Sequence, residues 1–124
     1  MPQFFFGIVI RGLGKGKDFG FPTANIKLND SDLSIEKGIY AVSVNIDNQL
    51  YKGMLYVGTR PTLEMQEITI EIHILEFDKD IYNKQISFQI LHKIRDEINF
   101  NSIEKLIEQL HQDKEKVYIF FTNY

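Results

Sequence analysis

Hydrophobic and polar positions along the chain follow two periods, and up to about residue 95 the period is two. Phe4 to Ile10 is apolar throughout, Ile39 to Ile46 alternates, Leu50 to Val57 is apolar and aromatic, Ile68 to Leu75 alternates strictly, and Gln85 to Leu91 alternates again. Alternation sends successive side chains to opposite faces, so these segments predict strands. Asp47-Asn48 and Tyr82-Asn83 supply turn chemistry, which predicts hairpins. Four or five short antiparallel strands of this kind curl readily into a small closed barrel with no exposed edge. The period then lengthens. Asn101 can cap a helix with Glu104 three positions on, and Ile103, Leu106, Ile107 and Leu110 form one apolar stripe that predicts packing against the barrel.

Composition narrows the class. With 124 residues, 44% hydrophobic and 13% aromatic, the chain predicts one domain over 1–124 with one compact core. Fourteen basic residues against 17 acidic ones leave a formal charge of -3, which argues against a general grip on nucleic-acid backbone. The absence of cysteine excludes disulfides, thiolate zinc sites and thiol nucleophiles. The apolar stretch Phe4 to Ile10 is far shorter than the roughly 20 residues of a membrane span and lacks a basic lead-in. A cytoplasmic protein without a membrane anchor is expected. No internal repeat or low-complexity tract interrupts the pattern.

Three features carry candidate chemistry. In Ile68-Thr69-Ile70-Glu71-Ile72-His73-Ile74 the four isoleucines share one face, while Thr69, Glu71 and His73 share the other. Glu71 and His73 either face water on an amphipathic strand, or one of them serves as an acid or base beside a cleft. Five of the eight glycines fall between Gly7 and Gly20, and the loop Arg11-Gly12-Leu13-Gly14-Lys15-Gly16-Lys17 reads as a flexible hairpin connection or as a phosphate cradle. It matches neither nucleotide-binding glycine fingerprint. In Gly20-Phe21-Pro22-Thr23-Ala24-Asn25, extended backbone would point Thr23 and Asn25 the same way, offering two oxygens to one hard cation; an ordinary turn is the alternative. Arginine occurs only at Arg11, Arg60 and Arg95 against eleven lysines, which suggests that it is held for sites needing a planar fork.

Together these residues resemble the riboflavin kinases, a family that also forms the C-terminal module of bacterial bifunctional FAD synthetases. The resemblance runs from about Phe6 to Asp113. It is carried by Gly7 with Arg11-Gly12, Gly20-Phe21-Pro22-Thr23-Ala24-Asn25, Gly38-Ile39-Tyr40-Ala41-Val42, Val57-Gly58-Thr59-Arg60-Pro61-Thr62, Glu71-Ile72-His73-Ile74, Asp80-Ile81-Tyr82, and Ile94-Arg95-Asp96-Glu97 followed by Phe100. Asn83 stands where the family usually has glycine, and asparagine tolerates the left-handed backbone of such a turn. Ile98-Asn99 replaces residues that are often basic, so Ile98 is not carried over as a ligand.

The resemblance implies an all-β fold, a six-stranded antiparallel Greek-key barrel with a C-terminal helix packed on it. It implies transfer of the γ-phosphoryl group of ATP to the ribityl 5′-hydroxyl of riboflavin, giving FMN. Carried over by position, Thr23 and Asn25 match a magnesium-contacting pair and Glu71 the catalytic base. Gly12, Gly14, Lys15, Gly16 and Lys17 match the loop over the nucleotide phosphates; Pro22, Ile74 and Tyr82 match positions near the nucleotide. Arg95, Glu97 and Phe100 match a flap over the flavin, and His73 takes a supporting role, while His92 and His111 are expected to be ordinary surface or partly buried residues. Mg²⁺ is expected to arrive with ATP, since two neutral oxygens hold it weakly. The expected partners are small molecules, with the chain a monomer or part of a larger bifunctional parent. A flavin or nucleotide sensor without turnover and a single-strand-binding barrel are the competing readings. Intact Thr23, Asn25 and Glu71 count against the first, and net negative charge counts against the second.

Overall fold

A computed structural model describes residues 4–11, 20–29, 35–59, 63 and 66–124, with backbone alone at 60 and 61. Six strands, β1 (Phe4–Ile10), β2 (Ala24–Leu28), β3 (Gly38–Ile46), β4 (Gln49–Pro61), β5 (Gln66–Ile74) and β6 (Gln85–Asp96), precede helix α1 (Ile103–Thr122). They close into an antiparallel barrel in the order β1-β2-β5-β4-β3-β6, with β1 joined to both β2 and β6. The barrel and helix are as expected. The β3–β4 hairpin turns on Asp47 and Asn48 at φ 51° and 67°, the paired left-handed residues that match strand twist.

Three expectations are corrected. The segment Ala24–Leu28 is a strand that hydrophobic patterning does not reveal, because only Ile26 among its five residues is buried. Residues 82–83 do form a turn, with Asn83 at φ 70°, but it does not make a hairpin of β5 and β6. Instead it is tied to β1, where the Asn83 N–H donates to the Val9 carbonyl at 2.9 Å and the Val9 N–H donates to Lys84 at 3.0 Å. The helix is capped by Ser102 rather than Asn101, with the Ser102 hydroxyl accepting from the Lys105 N–H at 3.2 Å.

Buried apolar residues form two clusters rather than one. Inward side chains such as Val42, Leu55, Ile72 and Phe88 fill the barrel, as alternation requires. The second cluster lies outside the wall, where Phe21, Ile39, Ala41, Met54 and Leu75 meet Val117 of α1. Strand β3 is therefore buried on both faces from Gly38 to Val42. The predicted stripe holds except at its start: Ile103 is exposed, Leu106, Ile107 and Leu110 are half-buried with Leu110 packed on the second cluster, and the most buried residues of α1, Asp113 and Val117, lie further along. The β3–β6 pairing has two register irregularities, at Ile39/Tyr40 and Ala41/Val42, just before the residues Arg95 and Asp96 that end β6.

Candidate active site

Register places one row of outward side chains across five strands. Asn25 of β2 lies opposite Glu71 of β5, Glu71 opposite Tyr56 of β4, Tyr56 opposite Ile39 of β3, and Ile39 opposite Arg95 of β6. Residues directly opposite in a sheet share a face, so this row crosses the outer wall at about 4.8 Å per strand. Thr23, just before β2, donates its hydroxyl to Glu71 Oε1 at 3.1 Å. The carboxylate, hydroxyl and amide singled out in the sequence thus meet, all half-buried.

His73 holds this arrangement from below. Its Nδ1–H donates to the Pro22 carbonyl at 2.8 Å, which fixes the tautomer because a carbonyl only accepts. Glu71 and His73 project from the same side of β5 and so hold two consecutive residues, Thr23 and Pro22. The reading of His73 as a water-facing residue is overturned, since it is 6% exposed, with Phe21, itself packed on His111 of α1, against its ring. Burial pushes the His73 pKa below its ordinary 6.5, the Pro22 hydrogen bond opposes that shift, and the Lys114 charge adds to it. Phe21 is wedged edge-on between His73 and His111, at 5.5 and 4.9 Å between ring centroids, which pins the turn to the helix. His92, expected to lack notable neighbours, stacks on Phe120 at 5.1 Å.

At the far end of the row Arg95 makes a forked clasp on Asp113, with Nη2 2.8 Å from Oδ2 and Nε 2.9 Å from Oδ1. Asp113 is fully buried and also accepts from Gln109 Nε2 at 3.0 Å. The Arg95 guanidinium lies 5.8 Å from the Phe100 ring centroid, so Arg95 links Phe100 to the clasp on the helix. Glu97 Oε2 is buried with no hydrogen-bond partner among the described residues. Elsewhere, Tyr82 is exposed beneath the Arg11 guanidinium, 4.0 Å from its ring centroid, and Ile74 is buried in the barrel interior, away from Glu71. Gly12, Gly14, Lys15, Gly16 and Lys17 lie outside the described residues.

Two residues of this wall were not singled out by sequence. Tyr56 falls within a run read only as apolar and aromatic; its alternation with inward Leu55 and Val57 is the signal that it faces out. Asp113 sits in the polar stretch Gln112-Asp113-Lys114-Glu115-Lys116, where nothing marks one carboxylate as buried. The scarcity of arginine, however, did point to a forked partner for Arg95.

The donor set also bears on a metal. Thr23, Asn25 and Glu71 offer only oxygens, the ligand type of a hard cation, while no three acidic or imidazole groups converge among the described residues. The residues fit a magnesium ion that draws the rest of its shell from phosphates and water. No helix among the described residues is long and apolar enough to cross a membrane.

An antiparallel barrel with such a row on its outer wall defines a class, small-molecule sites built on a closed barrel. The riboflavin kinase family model matches residues 1–121, and the chain belongs to that family. A bifunctional riboflavin kinase/FMN adenylyltransferase of Bacillus subtilis is 35% identical over 98% of this chain. This chain spans only 40% of that relative's length. A crystal structure described as a macrolide-efflux protein of Streptococcus pneumoniae superposes with a TM-score of 0.87 at 35% identity, over 94% of this chain and 38% of the other. The riboflavin kinase of Trypanosoma brucei shares the fold, with a TM-score of 0.69 at 24% identity over 98% of this chain and 80% of the other.

Proposed function

We propose that residues 1–124 form one riboflavin kinase domain that transfers the γ-phosphoryl group of ATP to the ribityl 5′-hydroxyl of riboflavin, giving FMN and ADP. It acts in the cytoplasm, alone or within a longer bifunctional chain. The observation that carries this reading is the meeting of Thr23 and Asn25, at the start of β2, with Glu71 of the neighbouring β5. A primary hydroxyl is a poor nucleophile, and Glu71 accepts its proton as the phosphoryl group passes across. Little covalent chemistry is asked of the protein, so its rate enhancement comes from holding donor and acceptor in line.

Thr23 Oγ1 and the Asn25 amide oxygen would hold Mg²⁺ carried in by the nucleotide, which supplies charge neutralisation on the phosphates. In this reading Gly12, Gly14, Lys15, Gly16 and Lys17 close over the phosphates, with Pro22 and Tyr82 near the nucleotide; Ile74 would reach it through its backbone alone, since its side chain lies inside the barrel. Arg95, Glu97 and Phe100 border the flavin, with Arg95 fixing the flap through Asp113, while His73 supports the nucleotide side by holding Pro22. Incubating the purified chain with riboflavin, ATP and Mg²⁺ should yield FMN on chromatography. Flavin binding without FMN would instead mark a sensor and overturn the kinase reading.

A further inference from the structure

Exposed apolar side chains gather on one part of the barrel that the proposed reaction does not use. Phe4, Phe6 and Ile8 stand 58%, 54% and 38% exposed on the outward face of β1. Their partners in register are Gln89, Ser87 and Gln85 of β6, and beyond these lie Ser43 and Asn45 of β3. Although 25% of the chain is charged, these eight adjoining outward positions carry no charge. Charge reappears at the borders, at Lys27 of β2 beside Ile8 and at Lys52 of β4 beside Ser43. Aromatic side chains in a charge-depleted field are the composition of a protein interface core.

The same wall runs into a groove. Ala41 and Ser43 are successive outward residues of β3, so their partners His92 and Gln89 adjoin on β6. From His92 a groove of about 450 Å³ opens between β6 and the last turns of α1. Ile94 and Phe120 are its half-buried lining, Ile119 and Tyr124 its exposed sides, and the stem of Lys116 borders it. Such a lining accepts an aromatic side chain. Phe4, opposite Gln89, stands one strand over and roughly 10 Å along β6 from the groove.

We propose that this wall is the interface of a two-fold homodimer, in which Phe4 and Phe6 of each copy enter the groove of the other. A two-fold contact is reciprocal, so it needs a projection and a recess side by side on one face, which β1 and the groove supply across β6. Gln89 lies between them, where each copy meets its own equivalent, and an amide both donates and accepts. Two chains of charge -3 repel at a distance, but no carboxylate stands on the wall or lines the groove. The exposed parts of Phe4, Phe6, Ile8, Ile119 and Tyr124 offer roughly 500 Å² per copy. With the polar middle of the wall added, the contact approaches the roughly 800 Å² that each partner gives to a standard interface. The dimer departs from the monomer expected from sequence. It is independent of the riboflavin kinase reading, whose Thr23, Asn25 and Glu71 lie on the β2–β5 side of the barrel.

Sedimentation equilibrium of the full chain, from low to high micromolar concentration, should give a mass rising from 14.5 kDa toward twice that value. Phe4→Ser with Phe6→Ser removes the projection, and Ile119→Ser with Tyr124→Ser removes the sides of the groove. Each pair should weaken association on the order of tenfold or more. All four side chains are more than half exposed, so the fold should survive, and thermal unfolding checks this. Mixing the two variants restores one of the two reciprocal contacts, so the mixture should associate more strongly than either alone. General stickiness of the wall gives no such recovery. A chain that stays at 14.5 kDa throughout, a dimer untouched by either pair, or a mixture without recovery would each overturn the proposal. If one pair misfolds, the loss or retention of association in the other decides.

Discussion

The Thr23 hydroxyl donates to Glu71 Oε1 at 3.1 Å, joining residues 48 positions apart at the point where β2 begins. A carboxylate on a rigid strand, with a hydroxyl and an amide beside it, has few rotamers left to sample. This prearrangement is what a general base needs, since its benefit depends on reaching one proton in one geometry. Glu71→Gln should preserve that packing and remove the basic oxygen. FMN formation should fall on the order of 10²-fold or more, with ADP affinity by calorimetry roughly unchanged. Near-normal turnover would remove Glu71 from the role.

Asn25 sits opposite Glu71 in register, on the same face as Thr23. Asn25→Ala removes one neutral oxygen from the set that fits Mg²⁺. The expected outcome is a higher Mg²⁺ concentration at half-maximal rate, measured at saturating ATP and riboflavin. An unchanged magnesium titration would count against metal contact at this position.

Asp113 is fully buried and bound to Arg95 through both carboxylate oxygens. Removing one partner of a buried pair strands the other, at a cost of about 3–5 kcal/mol. Asp113→Ala should therefore lower the thermal unfolding midpoint by roughly 10 °C or more. The double change Arg95→Met with Asp113→Leu, which strands no charge, should unfold at a higher temperature than the single variant. The reverse order would show that the clasp is not what the helix depends on.

His73 gives the fold an acid sensitivity whose sign follows from its environment. Its folded pKa lies below the ordinary 6.5, so beneath that pH the unfolded chain binds more protons. Its contribution is fully present above pH 6.5 and is lost as pH falls from there toward the folded value. His73→Gln keeps an N–H for the Pro22 carbonyl and cannot titrate. Denaturant unfolding between pH 7 and 5 should show a shallower loss of stability in this variant, and equal slopes would exonerate His73.

The barrel was legible because inward positions such as Leu55, Val57, Ile70 and Ile72 recur at every second residue. Strand β2 was not, because a short strand held by β1 and β5 needs little burial of its own. The helix stripe was read correctly at Leu110 but not at Ile103, for a related reason: periodicity shows which residues could pack, while the barrel wall decides which do. Ile103 lies beyond that wall, and Asp113 is drawn under it by Arg95. The trio of Thr23, Asn25 and Glu71 could be named from motifs. Their convergence depends on β2 pairing with β5, a contact that local sequence does not encode.

The pairing of β1 with β6 also governs how this protein must be made. Phe5 stacks on Phe88, so the first of the six barrel strands to be synthesised has to wait for the last of them before it finds its second neighbour. At ordinary translation speeds that interval is on the order of ten seconds. Through it the inward Phe5 and Val9 lack the cover that Phe88 and its strand give them in the finished barrel, while Phe4, Phe6 and Ile8 face outward even there, so β1 is open to wrong pairing until the ring shuts.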